Sequence, residues 1–148
     1  MNARAAEILL VEDNPGDILL TRKAFKSSEI ANRLHVVTDG NSALEFLRRE
    51  GRYPEAVRPD LVLLDINLPG LDGHEVLAAI KADEDLCQVP VVMLTSSDRQ
   101  RDVATSYRNH ANSYICKPPS LAGLSRALNA LQDYWFEVVR LPPPGAPA

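Results

Sequence analysis

The segment Leu61-Val62-Leu63-Leu64 is apolar without interruption and is followed directly by Asp65. A strand with one solvated face alternates apolar and polar residues, whereas a strand covered on both faces reads as a continuous apolar run. The segment therefore predicts a central strand of a parallel sheet, which favours an α/β architecture with helices on both faces. The carboxylate after it is expected at the carboxyl end of the strand, where ligands gather in such sheets.

Short apolar runs alternate with segments of helical period along the chain. Further strands are predicted at residues 7–11, 34–37, 89–94 and 114–116. Helices are predicted from an Asn14 cap onward, at 42–49, from an Asp72 cap onward, at 98–109 and at 120–139. Asp17 and Glu75 each stand three residues after a cap, where a side chain can reach back to it. Five strands separated by helices predict one doubly wound parallel sheet with right-handed crossovers.

Acidic residues follow the first predicted strand as well, since Glu12 and Asp13 come directly after it. Neighbouring parallel strands end at the same edge of a sheet, so these two acids and Asp65 are expected to lie together. Like charges that close are costly unless one is protonated or a cation lies among them, and carboxylate oxygens favour Mg²⁺. Thr95 and Lys117 end two further strands at this edge. The acids, a metal ion and the lysine together predict a site for a transferable phosphoryl group.

The composition is that of one domain, because the 148 residues are 45% hydrophobic and carry a net charge of −4. The negative charge argues against general affinity for nucleic acid or acidic membranes. The two cysteines, Cys87 and Cys116, match no metal-ligand spacing and are expected to be buried and reduced. No secretion signal and no apolar stretch near the ~20 residues of a membrane helix is recognisable, which predicts a cytoplasmic protein.

Five short motifs follow one another along the chain: V-E-D-N at 11–14, L-L-D-I-N-L-P-G at 63–70, D-G at 72–73, L-T-S-S at 94–97 and C-K-P at 116–118. With these motifs in this order, the chain resembles the receiver domains of two-component response regulators over almost its whole length. A closer likeness is to single-domain regulators paired with bacterial phytochrome kinases. It rests on residues 11–17, the long loop before Leu61 and the ending L-Q-D-Y-W-F at 131–136.

The resemblance implies a flavodoxin-like sheet with strand order 2-1-3-4-5. We expect residues 1–140 to form the receiver domain and residues 141–148 to form a Pro- and Ala-rich tail. The resemblance also implies that the Lys117–Pro118 peptide bond is cis, a form that X–Pro bonds adopt at modest cost.

The resemblance further implies a role for each residue at the predicted edge. Asp65 is expected to be the phosphoacceptor, because a metal ion offsets the charge of the phosphoryl oxygens when a carboxylate attacks phosphorus. Asp13 and Asp65 are expected to bind Mg²⁺ through their side chains, and Asn67 through its backbone carbonyl. Glu12 is expected to act mostly through metal-bound water, and Lys117 to pair with a phosphoryl oxygen.

A coupled switch is implied for Thr95 and Tyr114. The Thr95 hydroxyl is expected to swing towards a phosphoryl oxygen and to vacate space for the aromatic ring of Tyr114. The alternative for Tyr114 is a half-exposed aromatic residue of a strand. Asn67 and Ser97 flank the expected path of attack, so they are expected to tune water access and the lifetime of the phosphoryl group.

The expected phosphodonor is a histidine kinase of the phytochrome type, and no partnership with nucleic acid or membrane is expected. Because no DNA-binding helix pair or catalytic segment is recognisable after Trp135, output is expected through contacts of the domain itself or onward phosphoryl transfer. We expect a homodimer through the last strand and helix, with Tyr134, Trp135 and Val138 at its surface. The alternative is that most of these side chains pack inward.

Two other functions compete with this interpretation. A phosphohydrolase of the haloacid dehalogenase type also uses a strand-end aspartate with Mg²⁺, but it needs a second aspartate two residues later, where this chain has Asn67. A binding module without phosphorylation needs neither the acids nor Lys117. We therefore expect no enzyme activity beyond the domain's own phosphorylation and slow dephosphorylation.

Overall fold

Strands and helices alternate along the whole of the chain that the computed structural model describes, residues 5–28 and 30–135. The strands are β1 (Ala6–Val11), β2 (Asn32–Val37), β3 (Leu61–Leu64), β4 (Val91–Thr95) and β5 (Ser113–Cys116). The helices are α1 (Pro15–Lys26), α2 (Gly40–Arg48), α3 (Gly73–Ala82), α4 (Gln100–Arg108) and α5 (Leu121–Asp133). Every predicted element is present, and the bounds of β3 agree with the prediction. The predicted tail at 141–148 lies outside the described residues.

The strands form one parallel sheet in the order β2-β1-β3-β4-β5, which confirms the predicted architecture. Strand β3 lies at the centre, where Leu63 is paired with Leu10 of β1 on one side and with Val92 of β4 on the other. From β1 the chain first adds β2 on one side and then crosses to the other side, where it adds β3, β4 and β5 in turn. The carboxyl ends of β1 and β3 therefore flank the point where ligands bind in sheets of this kind.

The continuous apolar sequence of β3 serves two separate cores. Leu61 and Leu63 pack into a cluster that includes residues of α1 and α5 on one face of the sheet. Val62 and Leu64 pack into a cluster that includes residues of α2 and α3 on the other face. Successive side chains of a strand point to opposite faces, so both faces of β3 must be apolar when both are covered.

Side-chain caps begin two of the helices that lie near the carboxyl edge of the sheet. Asp72 and Glu75 form the predicted reciprocal capping box at the start of α3. Asn14 caps α1, since its Oδ1 accepts a hydrogen bond from the backbone N–H of Asp17 at 3.0 Å. The prediction that Asp17 reaches back to the cap is wrong, because its carboxylate binds the ammonium of Lys117 instead.

The expectation that both cysteines are buried is also wrong. Cys116 is exposed and Cys87 is half-buried. Cys116 is the last residue of β5, which pairs with β4 alone and forms an edge of the sheet. Cys87 lies in the connection between α3 and β4, outside the regular elements that form the core. Apolar neighbours in sequence therefore did not imply burial of either thiol.

The prediction of a cis bond before Pro118 is wrong, because residues 5–28 and 30–135 contain no cis peptide bond. The trans form is the more stable isomer of an X–Pro bond.

Strand β4 begins at Val91 rather than at the predicted Val89. It starts after Pro90, which has no backbone N–H to donate to a neighbouring strand.

Candidate functional site

Three carboxylates meet at the carboxyl ends of β1 and β3. Val11 is paired with Leu64, so the residues that follow these two strands are neighbours. One carboxylate oxygen from each of Glu12, Asp13 and Asp65 lies within 4.8 Å of the others. This set of hard oxygen atoms suits a divalent cation such as Mg²⁺ or Mn²⁺.

Glu12 is the most buried of the three acids, with 2% of its surface exposed. Its Oε1 accepts a hydrogen bond from the backbone N–H of Asn14 at 3.1 Å, and its Oε2 accepts one from Nζ of Lys117. Burial raises the pKa of Glu12, and the charge of Asp65 adds to this, although the hydrogen bond from Lys117 opposes both. A divalent cation among these acids would favour the ionised form of Glu12.

Asp65 is buried at the end of β3 and is hydrogen-bonded at both of its carboxylate oxygens. Oδ1 accepts a hydrogen bond from the backbone N–H of Asn67 at 3.3 Å, and Oδ2 lies 3.3 Å from Nζ of Lys117. Both contacts are long, so neither holds the carboxylate tightly. Asp13, in contrast, is exposed and forms the open side of the acid cluster.

A glycine allows the start of α3 to lie directly against the end of β3. A Cβ atom on Gly73 would lie 2.2 Å from the carbonyl oxygen of Asp65 and 2.7 Å from Cα of Ile66. The backbone N–H of Gly73 donates to the carbonyl of Ile66 at 2.8 Å. The position of Asp65 therefore depends on the absence of a side chain at residue 73.

Lys117 comes to the acids from β5, two strands away from β3. Its backbone N–H donates to the carbonyl of Thr95 at 2.7 Å, which fixes the start of the side chain. Nζ contacts Glu12, Asp17 at 2.8 Å and Asp65 at 3.3 Å, and 7% of the Lys117 side chain is exposed. Burial alone would lower the pKa of this lysine, but the hydrogen bonds to Asp17 and Glu12, together with the negative charges of Asp65 and Glu12, outweigh burial and raise the pKa. The ammonium is therefore charged, and it contacts three carboxylates.

Thr95 and Tyr114 both contact the loop between β4 and α4. Thr95 is fully buried, and the backbone N–H of Ser97 lies 3.4 Å from its Oγ1. The hydroxyl of Tyr114 donates to the carbonyl of Ser97 at 2.7 Å. Burial raises the pKa of the Tyr114 hydroxyl, which keeps it a donor at neutral pH. The two predicted switch residues are thus joined through Ser97, while Ser96 beside it is exposed.

The sequence of this chain matches the response regulator receiver domain family over residues 8–129. The chain belongs to that family. This confirms the resemblance on which the site roles were predicted.

Two response regulators are particularly similar to this receiver domain. Rcp1 of Synechocystis sp. is 44% identical over 135 residues, which cover 91% of this chain and 92% of Rcp1. The structure of the Mn²⁺-bound form of Rcp1 has a TM-score of 0.90 at 43% identity, covering 93% of this chain and 99% of that chain. The crystal structure of the phosphorylated cyanobacterial phytochrome response regulator RcpA has a TM-score of 0.92 at 42% identity, covering 95% of this chain and 100% of that chain.

Sequence reasoning missed two contributors to the site of this receiver domain. Asp17 binds Lys117. It was missed because an acid three residues after a helix cap is already explained by a contact with that cap. Asp102 of α4 binds both Ser97 and His74 of α3, and His74 and Asp102 are 28 positions apart on separate helices. No local pattern could have indicated this second pair, since it depends on how α3 packs beside α4.

Tyr134 and Trp135, the two described residues of the predicted partner surface, follow α5 directly and differ in exposure. Tyr134 is 56% exposed, whereas Trp135 is 8% exposed and packs into the core cluster beneath α1 and α5. The two rings lie edge to face with centroids 5.9 Å apart. A groove of about 610 Å³ beside them is lined by residues of β5 and α5, including Ile115 and Leu131. Val138 lies outside the described residues.

No helix in the described part of the chain is both long and apolar enough to span a membrane.

Proposed function

We propose that this receiver domain accepts a phosphoryl group on Asp65 from a phosphohistidine of a sensor histidine kinase. The observation that carries the proposal is the surroundings of this one buried carboxylate. Oxygens of Glu12 and Asp13 lie within 4.8 Å of it, and Nζ of Lys117 lies 3.3 Å away. An acid between a cation site and an ammonium group has the partners that a charged phosphoryl group needs.

The proposed step is a direct displacement at phosphorus. A carboxylate oxygen of Asp65 forms the new O–P bond while the P–N bond of the phosphohistidine breaks, and the electron pair of that bond returns to the imidazole nitrogen. The imidazole leaves as a neutral ring when its other nitrogen carries a proton. The Lys117 ammonium, which faces Oδ2 of Asp65, is placed to pair with a phosphoryl oxygen.

The carboxylates of Glu12, Asp13 and Asp65 are the proposed protein side of an Mg²⁺ site, together with the backbone carbonyl of Asn67. Three carboxylates fit a hard divalent ion, and Rcp1, whose structure in a Mn²⁺-bound form is known, supports a divalent cation at this site. When bound, such an ion neutralises negative charge on the transferred group.

We further propose that Thr95 and Tyr114 transmit the modification to the surface. Within residues 5–28 and 30–135, the contact of the buried Thr95 hydroxyl is a long one of 3.4 Å from the backbone N–H of Ser97, so a change of partner costs little. The hydroxyl of Tyr114 is anchored on the carbonyl of the same Ser97. A shift of this loop towards a phosphoryl group would therefore move Tyr114 at the same time.

Incubation with phosphoramidate and MgCl₂ tests the phosphoacceptor. We expect mass spectrometry of the intact protein at neutral pH to find the mass of one added phosphoryl group. The adduct should be absent from Asp65→Asn and after chelation with EDTA, whereas Asp133→Asn, a change at an exposed position of α5, should leave it unchanged. A wild-type chain without an adduct would contradict the proposal. Continuous release of phosphate from many phosphate esters would favour the hydrolase instead, and with it a true enzyme.

The proposed phosphodonor is a phytochrome-type kinase, because the similar protein RcpA is a phytochrome response regulator whose structure is known in phosphorylated form. When this chain is incubated with a kinase of this type that carries a ³²P-labelled phosphohistidine, the label should move to this chain within minutes. A kinase unrelated to phytochromes serves as the control, and faster transfer from that control would overturn this assignment.

We also propose a homodimer formed by β5 and α5, through the groove beside Tyr134 and Trp135. The exposed ring of Tyr134 and the open groove next to it give this face an apolar character that a second copy could cover.

A further inference from the structure

Asp17 makes a contact that the phosphoacceptor proposal does not use. It lies in the first turn of α1, where its backbone N–H donates to Oδ1 of Asn14 at 3.0 Å and its carbonyl accepts from the hydroxyl of Thr21 at 2.7 Å. Its Oδ2 accepts a hydrogen bond from Nζ of Lys117 at 2.8 Å, across 100 positions of sequence. The helix therefore fixes the backbone of Asp17, from which the carboxylate reaches the ammonium.

The hydrogen-bonding capacity of Lys117 is fully used in this arrangement. An ammonium has three N–H donors, and Nζ faces three carboxylates, those of Glu12, Asp17 and Asp65. The contact to Asp65 is the longest of the three, at 3.3 Å. Glu12 and Asp17 are therefore the anchors of the ammonium, and the third donor is directed at the phosphoacceptor.

The two anchors differ in what else they can bind. Glu12 belongs to the acid cluster with the spacing of a metal site, together with Asp13 and Asp65, whereas that cluster does not include Asp17. A cation in the cluster would compete with Lys117 for the carboxylate of Glu12. Asp17 is the anchor that a cation leaves in place.

Resting on the proposed function, we propose that Asp17 is a positioning residue, which holds the Lys117 ammonium over Asp65 while the phosphoryl group is transferred. Without Asp17 the long side chain of Lys117 keeps its charge but, among the residues that the structure describes, loses its carboxylate partner outside the acid cluster. Misplacement of a charged donor by a fraction of an ångström weakens its interaction with the transferred group.

Two substitutions separate the contact from the charge. Asp17→Ala removes both, while Asp17→Asn keeps an oxygen that accepts a hydrogen bond from Nζ. We expect Asp17→Ala to lower the maximal rate of phosphorylation by phosphoramidate about 10-fold, the loss expected for one hydrogen bond to a charged group. Asp17→Asn should recover most of the rate, staying within about 3-fold of wild type. Asp85→Ala, an exposed acid in the connection before β4, is the matched control.

A readout without any phosphodonor keeps this inference separate from the proposed function. A buried, hydrogen-bonded ammonium exchanges its protons slowly, so ¹⁵N-labelled wild-type protein should give an NMR signal for Nζ of Lys117, and Asp17→Ala should lose it. Persistence of the signal in Asp17→Ala, or a wild-type rate of phosphorylation in that variant, would overturn the inference. Equal loss of rate in the Ala and Asn variants would overturn it as well. Failure of the wild-type protein to form an adduct, with the NMR difference present, would refute only the phosphoacceptor role.

Discussion

Nε2 of His74 lies 3.0 Å from Oδ1 of Asp102, and this pair joins the first turn of α3 to the first turn of α4. The other oxygen of Asp102 accepts a hydrogen bond from the hydroxyl of Ser97 at 2.5 Å. One carboxylate therefore connects two helices with the loop that follows Thr95. Because the hydroxyl of Tyr114 is bound to the carbonyl of Ser97, any movement of that loop must carry or break these contacts.

Replacement of Asp102 tests how much this connection contributes to stability. The hydrogen bonds from Ser97 and His74 hold the pKa of Asp102 below its ordinary value. Ionised Asp102 therefore stabilises the fold above about pH 4, and this contribution is lost as the pH falls through the folded-state pKa. We expect Asp102→Asn to lower the free energy of unfolding by about 1–2 kcal/mol at pH 7 and by less at pH 3, measured by urea unfolding. A deficit of equal size at both pH values would contradict this, and Asp133→Asn is the control.

Replacement of Asp13 tests the metal site by its effect on stability. Without a cation the charges of Glu12, Asp13 and Asp65 repel one another, so Asp13→Asn should raise the free energy of unfolding in EDTA by about 0.5–1 kcal/mol. With excess MgCl₂ the wild type should instead be more stable than Asp13→Asn. An ion that binds only the folded state stabilises it more when it binds more tightly, and the wild type binds the ion more tightly than the variant. Thermal unfolding in both conditions measures the two effects, with Asp85→Asn as control. Equal stabilisation of wild type and Asp13→Asn by Mg²⁺ would exclude Asp13 as a ligand.

The fold and the acid cluster were open to prediction from sequence because their signals are local. The uninterrupted apolar run of β3 identified the centre of the sheet, and parallel strands bring Asp65 next to the acids that follow β1. Asp17 was assigned to the wrong partner because a helix cap explains an acid at that position equally well. Whether it faces its own cap or a lysine 100 positions away depends on the distance between α1 and the end of β5.

The contacts between helices were beyond prediction for a related reason. The pairing of His74 with Asp102 requires the packing of α3 beside α4, which no periodic pattern specifies. The exposure of Cys116 depends on β5 being an edge strand, a property of the strand order and not of the strand's own sequence. Sequence patterns thus located the elements, while packing decided which side chains meet.

Gly73 should be intolerant of even the smallest side chain. A Cβ atom there would lie 2.2 Å from the carbonyl oxygen of Asp65, which belongs to the backbone and cannot rotate away. Gly73→Ala must therefore push α3 from the end of β3, and we expect a loss of about 1–3 kcal/mol in urea unfolding together with slower phosphorylation of Asp65. At Gly16, also in the first turn of a helix, the nearest atom to a new Cβ is the side-chain Oδ1 of Asn14 at 3.3 Å. That oxygen caps α1, so Gly16→Ala should cost at most the ~1 kcal/mol of a weakened cap. A loss in Gly73→Ala no larger than that in Gly16→Ala would show that crowding at Asp65 is not responsible.

Tyr134 allows the proposed dimer to be tested without disturbing the core. Its ring is 56% exposed, whereas its neighbour Trp135 is buried within the chain, so truncation after Gln132 would remove core packing as well as surface. Tyr134→Lys places a charge beside the groove between β5 and α5, and we expect it to weaken self-association about 10-fold or more, as loss of a central aromatic contact does. Light scattering after size exclusion at several protein concentrations measures the mass. Leu19→Lys, which replaces another exposed apolar residue on α1, should leave the dimer unchanged. A wild-type chain that is monomeric throughout, or a Tyr134→Lys variant with the wild-type mass, would place the interface elsewhere or remove it.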